Sequence, residues 1–308
     1  MKNYRSLIIA LSVLAFMLIC RLAVGGIKVE NKYNREGERA EIINILPSDI
    51  EEIDFENSEE NFTVVHENNA FCIRERENET DKNALDQLIS DISKIDRRLL
   101  TENCKDAAQY GLDRPKAAVR FTTADKDITL MVGNLTPAET EYYVMTDAGS
   151  VYSVYSSVGS RLLSKRWQFM DLTLFTGNYN DITSVSVIGQ NGFSAEKQPD
   201  GSWKIESENE GSYTAENEEF RAEVGRYLDN MYAKRLVSNN EEKCAEYGLD
   251  APEGTVTITD ISGNKTEFKV SRNAKKKEAA VIKNDGQDIF ITIEDYFDML
   301  DIKKENLT

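Results

Sequence analysis

The stretch Tyr110-Gly111-Leu112-Asp113-Arg114-Pro115 returns 137 residues later as Tyr247-Gly248-Leu249-Asp250-Ala251-Pro252. So long a spacing marks a duplicated module rather than a solenoid, whose periods run roughly 20–50 residues. The likeness spreads outward from the motif. Upstream, Arg98-Leu99-Leu100 answers Arg235-Leu236-Val237, and Asn103 answers Asn240. Before these, Leu88, Ile92 and Ile95 answer Val224, Leu228 and Met231, both sets spaced as one face of a helix. Asp81 and Glu216 stand near the expected helix starts, where acids suit the helix dipole. Further upstream, Ile50, Ile53 and Phe55 answer Ile182, Val185 and Val187, and Phe71 and Ile73 answer Trp203 and Ile205. These short alternating runs are strand-like, and Asp200-Gly201 before Trp203 is a hairpin signal.

Downstream, Val119 and Phe121 answer Val256 and Ile258, Leu130 and Val132 answer Phe268 and Val270, and Val151 and Tyr152 answer Ile289 and Phe290. Each copy closes on an apolar, helix-like stretch, Val158–Met170 and Glu294–Leu300. A copy thus reads as three strands, a helix, a strand or extended link, a helical turn, three further strands and a closing helix. The fold class is α+β: two tandem copies of a mostly antiparallel sheet-plus-helix module, preceded by an N-terminal transmembrane helix. The boundaries expected are an anchor at 1–24, a polar tether at 25–48, copies at 49–176 and 177–302, and a tail at 303–308.

The motif has a structural explanation. Residues 104–110 suit a short helix. Gly111 then stands where the chain must turn left-handed, Leu112 packs back on the helix, Asp113 is placed to bond the backbone two residues on, and Pro115 stops the helix resuming. Tyr247, Gly248, Leu249, Asp250 and Pro252 repeat the logic.

The N-terminus reads as an address. Lys2 and Arg5 precede fourteen residues without a charge, Leu7 to Cys20, and Arg21 follows. A signal anchor from about Ser6 to Val24 nearly spans a ~30 Å hydrocarbon core. A signal peptide cleaved near Ala23-Val24-Gly25 and a lipoprotein on Cys20 are the alternatives. The basic head places the body on the outer side of the cell membrane, as a single-pass protein.

The chain has 54 acids against 37 bases, a net charge of −17. The first 28 residues hold four of the bases and no acid, leaving −21 on the remainder. Such a field repels nucleic acid. Cys72, Cys104 and Cys244 are odd in number and lack C-x-x-C spacing, which disfavours a disulfide framework or zinc site. A single Cys72–Cys104 bridge stays open beside free buried thiols.

No catalytic, cofactor-binding or metal residue emerges. The one histidine is His66, on a strand-like run, and no second histidine or HExxH supports a metal. There is no phosphate-cradling glycine motif. Acid pairs such as Glu51-Glu52 point to opposite strand faces. Two surface features invite contact: the basic run Lys275-Lys276-Lys277, suited to an acidic partner or anionic wall polymer, and the aromatics Tyr142 and Tyr143, suited to stacking.

The turn motif, followed in copy one by Val132-Gly133-Asn134-Leu135-Thr136-Pro137, Glu141-Tyr142-Tyr143-Val144 and Val151-Tyr152-Ser153-Val154, resembles the bacterial domain-of-unknown-function family numbered forty-three forty. The resemblance covers nearly all of residues 50–300. Copy two departs from it with Ser271-Arg272-Asn273-Ala274-Lys275. The resemblance implies an extracytoplasmic accessory protein, often encoded beside ABC transporter components of the gliding-motility type, and supplies no catalytic residue. The function expected is a membrane-anchored interaction protein whose partner is an ABC permease or related envelope component, without a cofactor. A ligand-binding protein for cell-wall polymer or small solute is the alternative, and a hydrolase a remote one.

Overall fold

The computed structural model describes residues 39–58, 60–273 and 275–307. The expected anchor at 1–24 lies outside them. Among the described residues no helix is long and apolar enough to cross a membrane. The chain forms two compact units, one running to Arg74 and from Asp86 to Ser164, the other comprising Glu75–Leu85 and everything from Lys165 onward. Each is built on an antiparallel sheet with a few short helices.

The first unit contains β1 (Arg39–Asn44), β2 (Ile50–Asn57), β3 (Asn61–Glu67), β4 (Ala70–Ile73), the part of helix α1 (Lys82–Ile92) from Asp86 onward, β5 (Lys94–Thr101), β6 (Ala117–Thr123), β7 (Asp127–Leu135), β8 (Glu141–Thr146), β9 (Val151–Tyr155) and helix α2 (Ser156–Leu162). Across the sheet the order is β1-β5-β9-β8-β7-β6-β2-β3-β4. Local chemistry sets the hairpins. Between β3 and β4 the two loop residues Asn68 and Asn69 both have positive φ, 51° and 64°, the geometry that matches strand twist and that asparagine tolerates. Asp81 caps α1, its Oδ1 accepting from the Ala84 amide at 3.1 Å. The helix then buries Leu85, Leu88, Ile89 and Ile92, a single stripe at helical spacing.

The second unit contains β10 (Thr173–Thr176), β11 (Ile182–Ile188), β12 (Phe193–Lys197), β13 (Trp203–Ser207), β14 (Gly211–Ala215), helix α3 (Asn217–Glu223), β15 (Asn230–Tyr232), β16 (Arg235–Ser238), helix α4 (Glu241–Tyr247), β17 (Gly254–Asp260), β18 (Lys265–Asn273), β19 (Glu278–Lys283) and β20 (Asp288–Ile293). Its main sheet runs β14-β13-β12-β11-β17-β18-β19-β20-β16, and β10 pairs with β15 apart from it. Read from the β4 edge, the first sheet has the same order, strand for strand, with β1 added at one end; the second adds β14 at the other. The duplication is therefore carried through the topology.

Alternation along the strands gives the second sheet two apolar faces. Ala279 and Val281 of β19 join a large core with Trp203, Phe220, Phe268 and Phe297. Ala280 and Ile282 face the other way, into a smaller cluster with Leu249, Ile289 and Ile291, against which Cys244 and Tyr247 of α4 pack.

Several expectations need correction. Residues 39–44, assigned to the tether, form β1, and Ile42, Ile43 and Ile45 are buried. The units divide at Ser164/Lys165 rather than at 176/177, because β10 pairs with β15 and Leu174 lies in the second unit's core. The C-terminal residues are no tail: Ile302 and Leu307 are buried in that core. Each copy has four strands after the motif, not three. The expected helix in copy two ends at Glu223; a single 3-10 turn, Gly225–Tyr227, follows, and Met231 lies on β15. The break falls where Gly225 lies under the Tyr179 ring, leaving no room for a Cβ. Ile95 likewise lies on β5 rather than α1.

Candidate functional site

The two motif turns have the same backbone. Gly111 has φ 69° and Gly248 φ 72°. In the first, the Leu112 amide donates to the Ala107 carbonyl at 3.0 Å and the Gly111 amide to that of Ala108 at 3.0 Å. In the second, Leu249 donates to Cys244 at 2.8 Å and Gly248 to Ala245 at 3.3 Å. Both are Schellman motifs, closing the helix carbonyls that would otherwise lack donors. Leu112 and Leu249 are buried. The helices they end differ: Ala108–Tyr110 is one 3-10 turn, whereas α4 is a full helix capped by Asn240, whose side chain accepts from the Lys243 amide. Asp113 and Asp250 are exposed, and among the described residues neither side chain forms the expected bond to the backbone two residues on.

Alanine at Gly111 or Gly248 is expected to cost about 1–2 kcal/mol of stability each, from left-handed strain. Gly111→Ala should be the larger, because its Cβ would also strike the Asn134 side chain, while at Gly248 only Ser271 Oγ stands in the way. Chemical denaturation of both variants checks the order; equal midpoints would contradict it.

The copies diverge on the strands facing the motif. Val132 pairs with Val144 in the first sheet and Val270 with Val281 in the second, so Tyr142 and Tyr143 correspond to Ala279 and Ala280, and Gly133 and Asn134 to Ser271 and Arg272. In the first unit the Tyr143 ring lies edge-on to Tyr110, centroids 4.9 Å apart. Gly133 there approaches the Tyr110 carbonyl so closely that no Cβ fits. In the second unit a cleft of about 320 Å³ stands in this place, lined among others by Tyr247, Ser271, Lys276, Ala280 and Ile291. Of the run Lys275-Lys276-Lys277, exposed at the tip between β18 and β19, Lys276 lines the cleft. Tyr142 does not join this arrangement: it packs against Gly159 of α2.

Two charged clusters in the second unit escaped the sequence reading. Arg272, on the cleft, donates to Glu253 (Nε to Oε2 2.9 Å) and to both carboxylate oxygens of Asp301 at 2.7 and 2.9 Å. These bonds push the guanidinium pKa up and hold the Asp301 carboxyl below its ordinary value. They tie the end of β18 to the loop after the motif and to the C-terminal segment. Elsewhere Asp288, 2% exposed, is gripped by Arg76 and by Arg166 Nη2 at 2.9 Å. Arg166 also donates to Ser238 at 3.2 Å, and Arg76 to Gln287 at 2.8 Å and Glu79 at 2.9 Å. The three residues are scattered through the sequence, and no local pattern announces them.

His66 stacks on Phe71, ring centroids 4.4 Å apart. Cys72, Cys104 and Cys244 are free thiols, so the Cys72–Cys104 bridge left open by the sequence is not formed. Among the described residues no group of three or more His, Cys, Asp or Glu is arranged to hold a metal ion. A second cleft of the same unit, about 510 Å³, is lined by residues including Asp81, Trp167, Asp171 and Tyr232.

These features define a duplicated, mostly antiparallel sheet module closed by a Schellman turn. The chain belongs to the family "Domain of unknown function (DUF4340)", whose model matches residues 73–224 and 223–308. No curated protein matches the chain.

Proposed function

We propose that this protein is a binding module without catalytic chemistry, held on the outer face of a cell membrane by its N-terminal apolar run and working as an accessory of an ABC-type transport or gliding-type envelope complex. The observation that carries the reading is how the buried charge of the second unit is engaged. Asp288 is bound by two arginines and Arg272 by two carboxylates, so these groups are engaged in bracing the sheet. A duplicated sheet with short turns offers extended edges and faces, which suit recognition of another chain. The uncharged run from Leu7 to Cys20 supports the tether, and the strong acidity of the remainder supports a partner with basic surface.

The test is purification of the intact protein from its own membranes in mild detergent, with mass spectrometry of co-eluting chains and of its own N-terminus. Recovery of a permease or ATPase chain with Met1 to Gly25 still attached is the expected result. A lone chain, cut near Gly25, overturns the proposal. The clefts of the second unit favour a second reading, a soluble binder of wall polymer or small solute; a rise in melting temperature with such ligands would support it.

A further inference from the structure

We infer that the cleft beside Tyr247 seats one aromatic side chain, tyrosine or phenylalanine, from an acidic segment of a partner polypeptide. The first unit supplies the template. There the motif tyrosine, Tyr110, is met edge-on by the chain's own Tyr143. In the second unit the strand position equivalent to Tyr143 is Ala280, and Tyr247 faces a cleft instead. Two strand positions beside the cleft differ in the same sense. Ser153, opposite Tyr143 on the first sheet, is replaced by Ile291, opposite Ala280 on the second, which makes the floor apolar. Gly133, which lets β7 close on the Tyr110 carbonyl, is replaced by Ser271, whose Cβ forbids so close an approach. Tyr247 is itself held in place, its hydroxyl accepting from Arg235 Nη1 at 3.3 Å. An edge-to-face aromatic pair is the geometry such a site favours.

Charge selects the flanks of the incoming segment. The acids on the cleft are engaged by neighbouring lysines: Glu246 lies 2.6 Å from Lys243, and Glu278 lies 4.0 Å from Lys234. Lys276 lines the cleft, and its sequence neighbours Lys275 and Lys277 are exposed at the same hairpin tip and form no ion pair among the described residues. In a chain of net charge −17 this hairpin tip is a local basic exception. It favours acidic residues beside the buried ring.

The inference rests on reading the protein as an interaction module, but its test needs no native partner. The full-length chain, carbon-13 labelled at alanine and isoleucine methyls and held in detergent, is titrated with the capped peptide Asp-Glu-Tyr-Glu-Asp, with the same peptide carrying alanine for tyrosine, and with N-acetyltyrosinamide. The tyrosine peptide should shift the Ala280 and Ile291 methyls saturably, and the alanine peptide should bind about tenfold more weakly or worse. Ala280→Tyr, which restores the first unit's ring, should abolish the shifts while keeping a cooperative thermal transition. The exposed pair Lys275→Ser and Lys277→Ser should weaken binding several-fold and flatten its salt dependence while keeping the thermal transition. The proposal is overturned if the methyls do not move, if the alanine peptide binds equally, or if the lysine variant binds as before. It is also overturned if N-acetyltyrosinamide binds as tightly as the peptide, which would make the cleft a small-phenol site. Failure of co-purification would leave this titration standing, and failure of the titration would leave co-purification standing.

Discussion

Asp288→Ala is expected to lower stability by about 3–5 kcal/mol, the typical loss when one partner of a buried ion pair is removed. The carboxylate is 2% exposed and holds two guanidiniums at the start of β20, beside Ser238 of β16. Without it, both guanidiniums lose their buried counter-charge, and Arg76 keeps Glu79 and Gln287 as partners. The strand pair β16–β20 lies at one end of the second sheet, so the damage should fall first on that edge. Equilibrium denaturation measures the loss, and hydrogen exchange at Arg235–Ser238 locates it. A midpoint within the range of ordinary surface substitutions would show that the pair contributes little. Asp288→Asn keeps one acceptor and should lie between the two.

Trp203→Ala is expected to cost a similar 3–5 kcal/mol through the cavity it opens. The indole is fully buried, stacks on Phe220 with centroids 4.1 Å apart, and donates from Nε1 to Asn217 Oδ1 at 3.2 Å. Trp203→Phe should cost less, since it keeps most of the volume and gives up mainly one hydrogen bond, worth about 1 kcal/mol. Denaturant midpoints with unchanged slopes would check both values. The same oxygen of Asn217 accepts from the Tyr179 hydroxyl at 3.2 Å. Burial pushes that phenol up to about 12. A raised phenol pKa leaves stability untouched below pH ~10, where both folded and unfolded phenols are neutral. Above it the unfolded chain ionises first, so stability should fall by up to roughly 2 kcal/mol as pH rises toward 12. Tyr179→Phe should remove that part of the alkaline loss.

Much of the architecture follows from local chemistry. A glycine between an apolar helix end and a leucine, followed by proline, admits one economical backbone, and both copies adopt it. Alternating runs such as Ile53-Phe55 and Val185-Val187 show their buried face directly, because neighbouring strand residues point oppositely. Strand β19 was harder to see: Ala279 to Ile282 is buried on both faces, so the alternation that marks a half-exposed strand is absent. Strand β1 was hidden by its charged neighbours, since an edge strand needs only Ile42, Ile43 and Ile45 to hold it.

The amino-acid sequence by itself determined the duplication, the turn that punctuates each copy, the α+β class, the acidity and the family. Each of these depends on residues near one another in the chain or on a pattern that recurs. The tertiary structure alone decided where the units divide, which of 54 acids is buried between two arginines, and that replacing Tyr143 by Ala280 leaves a cleft rather than a collapsed surface. Those outcomes depend on groups far apart in sequence, such as Arg76 and Asp288, separated by 212 positions. Only the register of strands across the sheet brings them within bonding distance.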